Sequence, residues 1–471
     1  MKSENKKIEV IIAKEYYQQL ENNEYNFNDI TELLKDLKGK GPLNQFKGLI
    51  GLRKLCEEDK KANDSKYNYN ELLPNFFNFL KNYPEEFQYE SLKCLINIEK
   101  INFNKFMCIR GIPPEEANEL INIIISFITN RDNFKLNIFI PAIRYLSILS
   151  NINNPNSNQI SNILYNEKIK DKILDIIKSI PDDLKIIKKC IKGLYKICKQ
   201  KDFNESYIKI SEDVIPMLSD IINNNPNDIE LIIWSLRLMT TLTQSNCSGI
   251  ILDKIIDLNF LQNIIELTNI ENNDVIYYSL RIISNFAMNE DSKFTDKILE
   301  VNVLEILKKF LDKQYIAKIR KESAFSLSNI AAGTQEQIIK LFKSDVFPIL
   351  YDIITIETES NIKDDCLWTI YNFSLLKNKE YLDNLIQGGL MKIIVDRFNI
   401  DTGNVLYCSL EALDNIMQFD QKVKDPAIVS ITENQIINLN VFDALNNLKN
   451  SNHEELCQTK INNILKKHYK M

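Results

Sequence analysis

The sequence repeats a pair of side chains, four residues apart, at a nearly constant step. Trp368 and Asn372 stand in DCLWTIYNFS, Phe325 and Asn329 hold the same register in SAFSLSNIAAG, and Glu411 and Asn415 hold it in SLEALDNIM. Residues i and i+4 lie one above the other on a helix, so each pair marks one helical face. The apolar anchors around that face extend the register backward through SLRIISNFA, SLRLMTTLT, CIKGLYKIC and SLKCLINIE, with weaker copies in PAIRYLSIL and GLIGLRKLC. Positions equivalent to the asparagine are Lys54, Asn97, Ser147, Lys196, Thr241, Asn285, Asn329, Asn372 and Asn415, separated by 43, 50, 49, 45, 44, 44, 43 and 43 residues.

A step of about 40 to 47 residues with only helical patterning belongs to armadillo or HEAT arrays, not to the shorter tetratricopeptide or ankyrin repeats. The expected fold is all-α: a right-handed superhelical solenoid of nine to ten armadillo repeats, whose core grows by stacking neighbours. Residues 1–44 read as an N-terminal segment of mixed charge, with amphipathic stretches at IEVIIAKEYYQQL and ITELLKDLKGKG, and Gly39, Gly41 and Pro42 mark a break before the first repeat. Residues 45–270 read as about five degenerate repeats, with NINNPNSNQ at 151–159 as a polar loop. Residues 271–471 read as regular repeats six to ten. Within one unit, 334–345 predicts a short first helix, 346–355 a middle helix and 362–376 a third. Gly333 is expected to end one third helix, and Gly388 and Gly389 the next first helix.

Composition narrows the chemistry. The only histidines are His453 and His468, so the body of the chain lacks the commonest general base and metal ligand. No phosphate-binding glycine loop occurs, and none of the nine cysteines has CxxC spacing, so reduced structural thiols are expected, with no metal and no cofactor. A formal net charge of −6 suits a basic partner better than nucleic acid. The longest apolar run, LINIIISFI, is short of a membrane span and contains Asn122, and the N-terminus lacks the apolar core of a secretory signal. A non-enzymatic binding protein of the cytoplasm and nucleus is expected.

The repeated register itself suggests a ligand. A Trp face offers a lysine stem apolar contact and cation–π attraction, and an Asn amide can satisfy both donor and acceptor of a peptide backbone. Stacked copies would grip an extended basic chain. Trp234, off the register, is expected in the core, and Lys93, Lys192 and Lys196 on the solvated surface.

These residues resemble importin-α, the adaptor family that carries nuclear-localisation signals. RKESAFSLSNIAAGTQEQI is similar to that family's seventh repeat, IKDDCLWTIYNFS to its eighth, SLRIISNFAMNED to its sixth, SLEALDNIMQFDQK to its ninth and VFDALNNLKNSNHEELCQTKINNILKKHY to its tenth. The resemblance implies peptide contact by Arg281, Asn285, Glu322, Phe325, Ser328, Asn329, Asp365, Trp368, Asn372, Glu411 and Asn415. It implies basic localisation signals as ligands, and importin-β and an export receptor as partners. Two departures stand out. The positions of the family's major groove read Lys93 and Asn97, Ile143 and Ser147, Lys192 and Lys196, and residues 1–44 hold seven Lys against eight Asp or Glu instead of a strongly basic segment. They leave open a second reading, an armadillo scaffold used outside nuclear transport.

Overall fold

The computed structural model describes residues 30–39, 41–62, 69–99, 114–129, 136–150, 167–199, 206–244, 248–424, 427, 429–451 and 453–469. Among these residues every regular element is helical. The stretches at 8–20 and 151–159 lie outside them. The chain divides into two compact units, one up to Val214 and one from Ile215.

The first unit holds α1 (Ile30–Leu37), α2 (Pro42–Ala62), a 3-10 turn at Tyr69–Leu72, α3 (Leu73–Asn82), α4 (Glu85–Ile98), α5 (Pro114–Thr129), α6 (Leu136–Ser150), α7 (Glu167–Ser179) and α8 (Leu184–Cys198). The division falls inside α9 (Ser206–Asn224), and Pro42 opens α2 where the glycine-proline break was expected. α2, α4, α6 and α8 pack on one another in sequence, and α1 lies against α2. Glu90, fully buried in α4, is held by Arg53 of α2 at 2.6 Å. The α6 register differs from expectation by one residue. Ile143 is fully buried and Arg144 takes the half-buried face, where desolvation lowers the guanidinium pKa.

The second unit continues with α10 (Ile229–Thr243) and then five helix triplets. They are α11 (Ser248–Asp257), α12 (Leu261–Leu267) and α13 (Asn273–Ala287); α14 (Ser292–Glu300), α15 (Val303–Phe310) and α16 (Ala317–Ala331); α17 (Gln335–Lys343), α18 (Val346–Ile356) and α19 (Ser360–Phe373); α20 (Lys379–Gln387), α21 (Leu390–Asp396) and α22 (Gly403–Val423); α23 (Ile431–Asn438), α24 (Val441–Lys449) and α25 (Glu455–Tyr469). Third helices α10, α13, α16, α19, α22 and α25 each pack on the next. The residues between them, such as Leu280, Ile283, Leu327, Ile330, Leu367, Ile370, Leu410 and Leu413, are fully buried. Each contributes about 1.5–3 kcal/mol of hydrophobic stabilisation.

One device sets every turn from first to second helix. Asn259, Asn302, Asp345, Gly389 and Asn440 all have positive φ, and each lies immediately before, or one residue before, its second helix. The left-handed conformation ends the first helix sharply, and Asn, Asp and Gly adopt it at least cost. First helices start on side-chain caps: Asp291, Asn378, and the capping boxes Thr334 with Gln337 and Ser430 with Glu433. Gln337 also ties its triplet to the one before, its Nε2 donating to Ser292 O at 2.9 Å and Asp296 Oδ1 at 3.0 Å. The glycines fall at the helix ends as expected, and α19 stops at Phe373, three residues short of the predicted end.

Candidate peptide-binding face

The third helices place their register positions in rows because adjacent helices pack with matched residues side by side. On α19, Asp365, Trp368 and Asn372 follow a spacing of three and four, so they share one stripe. Trp368 is 38% exposed, one of the large hydrophobic side chains left open to solvent. The Asp365 carboxylate beside it is half-buried, and its Oδ2 has no hydrogen-bond partner. Burial pushes its pKa up to about 6, against the attraction of Lys321 and with help from Asp364 and Glu322. A desolvated carboxylate next to an open indole face is a place for a cation.

The amides form a second row with two functions. Asn372 donates from Nδ2 to Ser328 O at 3.3 Å and Asn415 donates to Ser374 Oγ at 3.4 Å, each reaching the preceding third helix. Asn329 turns back on its own helix, donating to Phe325 O at 2.8 Å. All three remain half-buried. Asn285 is buried and spends its amide on Thr243 Oγ1 at 2.7 Å and Thr240 O at 3.4 Å. Thr240 and Ser328 both lie near the C-terminal ends of their helices, and their carbonyls, which already accept from Thr243 Oγ1 and from the Ala332 N–H, take these amides as a second donor, so each amide ties one repeat to the next. Ser328 is also buried, its hydroxyl donating to Phe325 O at 2.8 Å. Asn285 and Ser328, expected at the ligand surface, are therefore buried, Asn285 bridging two repeats and Ser328 bonded within its own helix.

Other expected contact residues are already engaged. Arg281 of α13 pairs with Glu322 of α16 at 3.0 Å, lies 5.8 Å from the centroid of Phe325, and is accepted by the Gln244 carboxamide oxygen at 2.8 Å from both Nε and Nη2. Glu411 of α22 accepts from Tyr407 at 2.8 Å and pairs with Lys460 of α25 at 2.7 Å. Beside it Asp414 is ringed by Lys460, Lys467 and His468. Burial opposes its ionisation, but hydrogen bonds from His468, Lys460 and Gln418 outweigh that and hold its pKa below the carboxylate range. Trp234 departs from the core placement expected of it. It is half-buried, with the Arg237 guanidinium 4.3 Å over its ring and Tyr278 of the next repeat on the same cation at 5.5 Å. In the first unit Lys93 is half-buried, 5.2 Å from the centroid of Tyr89, rather than freely solvated, and Lys192 and Lys196 are half-buried as well.

Sequence reasoning missed the arginine partners because a side chain's occupant comes from the adjacent repeat, 41 to 44 residues away. The recurrence of Arg at 237 and 281 in the aromatic slot was the available signal. Burial pushes the Cys190 and Cys366 thiols up to about 12 and Cys408 to about 11, which makes these three poor nucleophiles.

Stacked three-helix repeats of this period are those of an armadillo-repeat solenoid. No protein-family model matches the chain. A stretch of 79 residues is 29% identical to a protein of Dictyostelium discoideum described as "Probable importin subunit alpha-A"; it spans 17% of this chain and 14% of that protein. Among solved structures, the chain is similar to an engineered protein with a TM-score of 0.70 at 18% identity, over 93% of this chain and 98% of that one. A designed armadillo repeat protein in complex with the peptide (KR)4 gives a TM-score of 0.45 at 23% identity, over 53% of this chain and 98% of that one.

Proposed function

We propose that this chain is a non-enzymatic adaptor of the importin-α type, which binds basic linear segments of nuclear-localisation character on the third-helix face around Trp368. The observation that carries the reading is the Asp365 carboxylate, half-buried and without a hydrogen-bond donor at Oδ2, beside the exposed Trp368 face. A lysine or arginine laid on the indole would neutralise that carboxylate, while Asn329 and Asn372 offer their amides to the peptide backbone. The 79-residue similarity to an importin subunit supports the same reading. Such an adaptor would work in cytoplasm and nucleus, with importin-β and an export receptor as its transport partners.

The second reading, a scaffold outside nuclear transport, draws on Lys93, Arg144, Lys192 and Arg237 at slots that would otherwise be aromatic. Both readings meet in one titration. A labelled Lys/Arg-rich peptide should bind the wild-type protein and lose about 10- to 100-fold in affinity to Trp368→Ala/Asn372→Ala, from a cation–π contact of about 0.5–2 kcal/mol and a hydrogen bond of about 1 kcal/mol. Unchanged affinity in the double variant would sink the groove assignment. Co-purification with transport receptors would favour the adaptor, and other partners without them the scaffold.

A further inference from the structure

The positions on both sides of Trp368 are filled by the protein's own cations. On one side Arg281 makes the contacts that a basic ligand would make one repeat away. Its Nη1 is 3.0 Å from Glu322 Oε1, its guanidinium lies 5.8 Å from the Phe325 centroid, and Gln244 accepts from two of its nitrogens. On the other side Lys460 sits between Glu411 at 2.7 Å and Asp414 at 2.8 Å. Two repeats before Trp368's neighbour, the aromatic rings of Trp234 and Tyr278 are likewise covered by Arg237. Glu322, Glu411 and Asp414 are thus neutralised from within, whereas Asp365 keeps an oxygen without a donor.

A tethered cation competes with a ligand at an effective concentration of about millimolar or more. A second ligand cation can enter the Phe325 position only by displacing Arg281 and leaving its guanidinium without Glu322. We propose that Arg281 and Lys460 are built-in occupants of this face, so that it offers a basic ligand a single cation position, at Trp368, and draws no further affinity from cations on either side. This rests on the basic-peptide reading above and sharpens it: a dense basic cluster gains little over a single lysine. Arg281 is then a specificity-determining residue, and its removal opens a second cationic position. Packed helices lie about 8–10 Å apart and an extended chain advances about 3.3–3.6 Å per residue, so that position falls two to three residues from the anchor.

The test compares two labelled peptides, one with a single lysine and one with a second lysine three residues away, at fixed ionic strength. A third peptide carries the second lysine seven residues away and measures the general charge effect. Wild type should prefer the spaced two-lysine peptide over the seven-residue control by less than about threefold. Arg281→Ala should prefer it by about tenfold or more, and millimolar methylguanidinium should remove that preference by refilling the site. Arg281→Gln, which keeps hydrogen bonding to Glu322 without the charge, guards against loss of folding in the alanine variant. A tenfold preference already present in wild type overturns the proposal. So does an unchanged preference in folded Arg281→Ala and Arg281→Gln that still bind the single-lysine peptide. A folded wild type that binds none of the three peptides overturns the groove reading itself, an outcome distinct from binding without selectivity.

Discussion

At the scale of single residues, the face is defined by which charges are satisfied. Asp365 has a pKa raised from 3.8 to about 6, chiefly by burial, with Asp364 and Glu322 adding to the rise and Lys321 opposing it. A raised carboxyl makes the folded state reluctant to ionise, so the penalty is absent below the unfolded value, grows as pH rises, and is complete above about 6. Asp365→Asn should therefore stabilise the protein at pH 7 by about 1 kcal/mol after allowing for solvent screening, and by nothing at pH 3.5; thermal melts at the two pH values check this. In the proposed binding of a basic peptide, the same group sets the pH dependence. A ligand cation must meet a carboxylate, so affinity for a basic peptide should fall by up to about tenfold per pH unit below 6 in wild type and stay flat in Asp365→Asn. Elsewhere, Arg320 and Glu357 form an ion pair with both partners buried, linking α16 to the turn before α19. Glu357→Ala leaves a buried guanidinium unpaired and should cost about 3–5 kcal/mol in chemical denaturation. A cost within 1 kcal/mol would show that water or another acceptor replaces the glutamate.

At the scale of elements, the triplet was legible because its period is written in apolar side chains. The predicted first, middle and third helices at 334–345, 346–355 and 362–376 fall on α17, α18 and α19. Less visible was the left-handed residue at each first-to-second turn, which presents only as a lone Asn, Asp or Gly before Phe, Val or Leu in LNF, VNV, SDV, GGL and LNV. Placing a β-branched residue there forces a side chain into a conformation that costs roughly 1–2 kcal/mol. Asn302→Val and Asp345→Val should each destabilise by about that amount, whereas Asn302→Gly should change stability by only a few tenths. Equal denaturation midpoints for Asn302→Val and wild type would argue that the turn relaxes without strain. The α6 slip, with Arg144 rather than Ile143 on the open face, shows the limit of periodicity. A single-residue shift changes no apolar count, and only burial against the neighbouring helices selects between the two.

At the scale of the whole molecule, stability in a stacked array is a sum of repeat and interface terms, so the chain need not unfold as one unit. Both tryptophans, Trp234 and Trp368, belong to the unit from Ile215 onward. Tryptophan fluorescence, excited to the red of tyrosine absorption, should accordingly report that unit alone, while far-UV circular dichroism reports helix throughout. In urea the two signals should give different midpoints; coincident transitions with equal slopes would show that the array unfolds cooperatively from end to end.

The sequence by itself determined the repeat, its step, the helical class and the row of Trp368, Asn372, Asn329 and Asn415, because burial of one helical face imposes a local periodicity that survives in the order of residues. Tertiary structure alone decided which polar groups on that row remain available. Asn285, Glu322 and Glu411 satisfy the same pattern as their neighbours, yet each has a partner one repeat away, and Ser328 turns its hydroxyl back onto its own helix. Hydrogen bonds and ion pairs form between side chains brought together by stacking, and apart from the recurrence of Arg at 237 and 281 the apolar periodicity carries no record of which pairs meet across some forty residues.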